Sequence, residues 1–156
     1  MVSPLVAKTP QGPKYMWTID ANVGLASRNK PDDVQLVQFA YVMALGNAQR
    51  PKSLAEKETY AKVVPGAPCT GRADDPLVRA IVAHQQARGG TQDGHVSPFS
   101  ASTVMYVGAS GKHSHMLWTL NLNIMGMMPY DFPRLDKHPL CPPGLKSVVI
   151  DCCEIH

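Results

Sequence analysis

Two stretches of this chain carry helix start and stop signals in the correct order, and they limit its fold more than any other feature. The first is Asn29-Lys30-Pro31-Asp32-Asp33-Val34-Gln35-Leu36-Val37-Gln38-Phe39-Ala40-Tyr41-Val42-Met43-Ala44-Leu45-Gly46. Pro31 suits the first turn, where a missing N–H leaves no bond unmade, and Asp32 and Asp33 sit at the positive end of the helix dipole. Val34, Val37, Tyr41 and Ala44 or Leu45 recur at helical spacing, and Gly46 can supply a left-handed closing residue. The pattern predicts a helix over about 31–45. Asp74-Asp75-Pro76 opens the second stretch, which runs through Leu77, Val78, Ala80, Ile81, His84 and Gln85 to Arg88 and stops at Gly89-Gly90.

Between and beyond these, the pattern is read from propensity and turn chemistry. Ser53 to Tyr60 suits a short helix capped by Ser53 with Glu56 at the capping-box position, and Val63 to Pro68 reads as extended chain entering a turn. Asp93-Gly94 marks a turn that Pro98 keeps from continuing as helix. Thr103 to Val107 has strand composition, Gly108 to Gly111 is a turn, and a return through Lys112 to His115 makes a small hairpin over 99–113. Met116 to Met128 is apolar nearly throughout. Its length exceeds an ordinary strand, and Leu117, Leu120, Ile124 and Met127 or Met128 share a helical face, so a helix ending at Pro129 is expected. Pro133, Pro139, Pro142 and Pro143 make 129–156 a strap-like extension, with Gly144 to Ile150 a last helical turn or a strand. Pro4, Pro10, Gly12 and Pro13 make 1–14 a tail or strap.

Composition bounds the class. The 156 residues, 44% hydrophobic and 17% charged, suit one folded domain over 15–156. A net charge of +3, scattered along the chain, is too small to point to nucleic acid. The apolar stretches stop short of the roughly 18 residues that a membrane span needs, so no membrane insertion is expected. The N-terminus lacks the apolar run of a secretory signal. Synthesis in the cytoplasm follows as the expectation, with delivery to the periplasm left to a secretion or phage apparatus. Cys69, Cys141, Cys152 and Cys153 are expected as free thiols, since a core of this size forms without staples.

The order of these pieces resembles the peptidoglycan-binding-like domains found beside cell-wall hydrolases and in phage and type VI secretion proteins. The resemblance runs through Asn29 to Val34 with Leu36-Val37-Gln38. It continues from Asp74 through Ala80-Ile81 to Gln85, into Gly90, Asp93-Gly94 and Val96-Ser97-Pro98, and ends at Trp118-Thr119-Leu120 with Leu122-Asn123. It covers roughly residues 17–128. It implies a mainly α fold, a three-helix core here elaborated by the hairpin at 99–113 and the Pro-rich extension. Three departures stand out: His84 where the family carries an aromatic residue, a link of about 25 residues between the first two helices, and the inserted hairpin. The implied function is non-catalytic binding or targeting to peptidoglycan or its stem peptide.

Gln85, Asp93, His95, Tyr106 and Trp118 have the hydrogen-bonding and stacking groups such a ligand needs, and polyvalent wall polymers make weak sites sufficient. A metal reading starts from His113 and His115 on one side of an extended strand, completed by His95, His138, Asp151 or His156. No metal or other cofactor is expected, and a zinc-dependent wall hydrolase is the third reading. Cys69 and Cys141 lack a nucleophile's surroundings in the sequence, and Asp32-Asp33 and Asp74-Asp75 are explained by helix starts. The Met-rich Ile124 to Met128 raises the second reading, an adaptor or structural subunit that docks a phage-tail or secretion protein.

Overall fold

The computed structural model describes residues 1–9, 12–98 and 115–154. Among them are five α-helices: α1 (Pro31–Gly46), α2 (Leu54–Tyr60), α3 (Pro76–Arg88), α4 (Met116–Met127) and α5 (Pro143–Glu154). A short 3-10 turn, Leu135–Lys137, precedes α5. Two small antiparallel ladders complete the fold: β1 (Ser3–Thr9) with β2 (Gly12–Thr18), and β3 (Val23–Gly24) with β4 (His95–Val96). The protein is mainly α. The expected hairpin at 99–113, with Tyr106, lies outside the described residues.

Helix α1 is central. It packs against α4, α2 and α5, and α2 in turn covers α3. Burial therefore wraps around α1 instead of following the single stripe Val34, Val37, Tyr41, Ala44: Leu36, Phe39, Ala40 and Met43 are buried as well. A helix apolar on all sides belongs in the middle of its neighbours. Its acidic start does more than face the dipole. Asp33 accepts hydrogen bonds from the N–H groups of Asp20 and Ala21 at 3.1 Å each, and Asp32 accepts from Val2 N–H at 2.8 Å. Gly46 does not take the left-handed form; the helix ends at Asn47 in an extended conformation, and Gly46 faces the Met127 side chain instead.

The N-terminal segment is not a tail. Residues 3–9 form β1, and Val2, Met16 and Trp17 are in the hydrophobic core. Asn121 on α4 explains why. Its side-chain carbonyl accepts from Trp17 N–H at 2.7 Å, and its amide donates to Trp17 C=O at 2.9 Å. The backbone polar groups of Trp17 thus point away from β1, so Trp17 and its partner Pro4 are a non-hydrogen-bonded pair. Pro13, opposite Lys8, is four residues away and shares that parity. Both prolines stand where a missing N–H removes no ladder bond. The indole N–H of Trp17 donates to Pro133 C=O at 2.9 Å, fastening the hairpin to the C-terminal segment too.

That segment ends in a helix longer than the single turn or strand read from the sequence. Leu145 and Val149, one turn apart on α5, are fully buried, and Leu145 N–H donates to the Gln35 side chain at 2.7 Å. All four cysteines are free thiols.

Candidate functional site

A cleft of about 330 Å³ opens where the end of α1, the 50–52 segment, α2, the last turns of α3 and the middle of α4 meet. Its wall includes Arg50, Lys52, Glu56, Tyr60, His84, Arg88, Thr119 and Asn123.

The floor is a fixed polar and aromatic network. Ser53 caps α2: Glu56 N–H donates to Ser53 Oγ at 3.2 Å, and Ser53 N–H donates to Glu56 Oε1 at 2.9 Å, the reciprocal box that the sequence predicts. The other Glu56 oxygen accepts from Tyr60 O–H at 2.7 Å, so both oxygens of this buried carboxylate are engaged. His84, only 4% exposed, shares a 3.1 Å hydrogen bond with Tyr41 O–H and meets the Tyr41 and Tyr60 rings edge-on. His84 thus packs as one ring among aromatic rings. Burial, with the nearby Arg88 charge, pulls the His84 pKa down to about 4, leaving a neutral imidazole at pH 7.

The rim is cationic. Lys52 Nζ donates to the carbonyls of Asn47 and Arg50 at 2.7 and 2.8 Å, which holds its charge at the mouth. Arg50 and Arg88 are exposed beside it. Across the cleft, Thr119 and Asn123 stand one turn apart on α4. Asn123 is 7% exposed, and its side-chain amide makes no hydrogen bond among the described residues.

Gln85, Asp93, His95 and Trp118, singled out from the sequence, do not line this cleft. Gln85, Asp93 and His95 do come together, as the fastening of a turn. The Gln85 amide donates to Asp93 Oδ1 at 2.8 Å and to His95 C=O at 3.1 Å, and its carbonyl accepts from Gly94 N–H at 2.9 Å. Asp93 Oδ1 also accepts from His95 N–H at 3.2 Å, and its other oxygen lies 3.4 Å from His95 Nε2. Burial works against the Asp93 carboxylate, yet the Gln85 and His95 hydrogen bonds and the His95 charge together hold its pKa below the usual value. This turn delivers β4 to β3 and Gly94 C=O to Leu25 N–H at 2.9 Å. Trp118 is 8% exposed in the core, and Tyr106 lies outside the described residues.

Among the described residues no three His, Cys, Asp or Glu side chains are grouped to hold a metal ion. His115 Nδ1 accepts from Leu117 N–H and His138 Nδ1 from Leu140 N–H, each closing a local turn. His113 and His156 lie outside the described residues. Burial raises the Cys141 thiol to about 12, far from a thiolate nucleophile at neutral pH. No described helix is long and apolar enough to cross a membrane.

Sequence reasoning missed the cleft because its wall comes from five separate segments. One signal was available: Thr119, Asn121 and Asn123 are the polar side chains of a largely apolar run, and Thr119 and Asn123 share helical spacing. No protein-family model, curated protein or solved structure matches the chain.

Proposed function

We propose that this chain is a non-catalytic peptidoglycan-binding or targeting module of a bacterial or phage envelope-associated system, in which α1, α3 and α4 are the three-helix core. The observation that carries the reading is the cleft: a cationic rim, a rigid floor and an unpaired amide on one wall. Stem peptides of the wall are rich in carboxylates and amides, the two groups such a surface complements. The turn fastened by Gln85 and Asp93 supports the same reading, because it joins the sequence pieces that carry the family resemblance. In this reading a secretion or phage apparatus brings the protein to the periplasm.

Co-sedimentation with purified sacculi tests it. Saturable pelleting above an unrelated basic protein of similar size is the expected result. Pelleting equal to that control overturns the reading. The adaptor reading is favoured by Tyr130, 97% exposed beside the Met-rich end of α4, where Met127 is also exposed. It predicts retention of a tail or secretion subunit that a Tyr130→Ser variant loses, with sacculi left unbound.

A further inference from the structure

Two asparagines on α4, two residues apart, show one amide with its partner and one without. Asn121 grips one residue of an extended chain, accepting from Trp17 N–H and donating to Trp17 C=O. Asn123 presents the same donor and acceptor pair to the cleft, nine-tenths buried, with no hydrogen bond among the described residues. No side-chain polar atom fully buried among the described residues lacks a partner, so the little surface Asn123 exposes is its amide, turned to the water of the cleft and open to a ligand. The Thr119 hydroxyl, one turn earlier, donates to no group among the described residues either.

The charges around this amide select what completes it. Among the described residues, and leaving Arg88 aside, Arg50 and Lys52 face the cleft against the one carboxylate of Glu56, whose oxygens are already taken by Ser53 N–H and Tyr60 O–H. The Arg50 guanidinium makes no hydrogen bond or ion pair among the described residues. His84, the remaining titratable group on the wall besides Tyr60, is neutral. The net field therefore favours an anion. A bare phosphate satisfies the cations but carries its charge, its P–OH donor and its acceptor oxygens on one centre; a peptide terminus carries an N–H and C=O apart from its carboxylate, so it can meet the cations and Asn123 at separate points. The volume, about 330 Å³, is at the low end of small-ligand sites, roughly 300–1,000 Å³, and suits the last two or three residues of a chain.

We infer that the cleft binds the carboxy-terminal end of a short peptide, with its carboxylate against Arg50 and Lys52, the N–H and C=O of its penultimate residue paired with the Asn123 amide, and the Thr119 hydroxyl beside them. This deepens the wall-binding reading and rests on it for the source of the peptide.

The test is a titration of the isotopically labelled full chain with N-acetyl-alanyl-alanine as the free acid and as its carboxy-terminal amide, followed by NMR. The free acid should shift the Asn123 side-chain NH2 signals saturably. The amidated peptide should bind at least about tenfold more weakly. Asn123→Ala should lose about tenfold for the free acid, and Arg50→Gln should abolish the preference for acid over amide, both with unchanged melting temperature. No saturable shift, or equal affinity for acid and amide, or an Asn123→Ala protein that binds as wild type, overturns the inference. Sacculi separate it from the broader reading. Peptide binding without sacculus pelleting keeps the cleft assignment and refutes the wall as its source, whereas pelleting that both variants leave intact keeps the wall and refutes the cleft.

Discussion

Replacing Asn121 with Ala should unfasten the N-terminal hairpin, and the size of the loss can be worked out from the contacts. Asn121 is 1% exposed and makes three hydrogen bonds, to Trp17 N–H, to Trp17 C=O and to Leu117 C=O. Leu117 C=O already belongs to the helix ladder, so it loses little. The two Trp17 groups are buried and become unsatisfied, at about 1–3 kcal/mol each. A total near 3 kcal/mol is expected, a large share of the roughly 5–15 kcal/mol that holds a domain together. For a chain of this size that is a fall of roughly 6–12 °C in melting temperature. Asn123→Ala is the internal control: the same residue type, helix and near-complete burial, but no partner to orphan, so the change should stay under about 1 kcal/mol. Urea unfolding at pH 7, followed by tryptophan fluorescence and far-UV circular dichroism, measures both. If the two variants fall within about 0.5 kcal/mol of each other, the side-chain clamp on β2 does not contribute as argued.

Three further outcomes are expected. His84 binds a proton in the unfolded chain near 6.5 but only near 4 when folded, so its stabilisation is complete above pH 6.5 and disappears as pH falls toward 4, about 3 kcal/mol in all; His84→Gln should flatten that part of a stability-versus-pH curve relative to wild type. Gly24 has φ +123° and a Cβ there would lie 2.3 Å from Gly94 C=O, so Gly24→Ala should cost more than about 3 kcal/mol by thermal unfolding, or prevent accumulation of soluble protein. Ser53→Ala removes one half of the α2 cap and should cost about 1 kcal/mol in urea unfolding, with amide exchange rising first at Glu56.

The helices were legible because their ends are written locally. Pro31 and Pro76 start α1 and α3, Ser53 with Glu56 starts α2, and Gly89, at φ +73°, stops α3 with the left-handed turn that glycine allows. The hairpin β1–β2 was hidden because its prolines argue against strand by local rules. What makes Pro4 and Pro13 harmless is the outward turn of the Trp17 backbone toward Asn121, a partner 104 residues later that no local window contains. The β3–β4 ladder is two residues long on each side and has no periodicity to read. The candidate residues show the same division. Gln85, Asp93 and His95, named from the sequence as ligand groups, lie together, but their hydrogen bonds are spent within the turn. Asn123 was concealed by the apolar run around it, and Arg50 and Lys52 by a stretch with no pattern, since a cleft is defined by what five segments leave open between them.

The two anchors of Trp17 also set an order of events during synthesis. Its backbone is held by Asn121 and its indole by Pro133, 104 and 116 residues downstream. A ribosome adding about 5–20 residues per second exposes the hairpin many seconds before either anchor exists. Through that interval β1 and β2 have only each other, and an isolated two-stranded hairpin is marginal in water. Val2, Met16 and Trp17, fully covered in the finished molecule, thus emerge well before the residues that anchor them. Until those anchors are made, the hairpin is a segment of the nascent chain that a chaperone would have reason to cover.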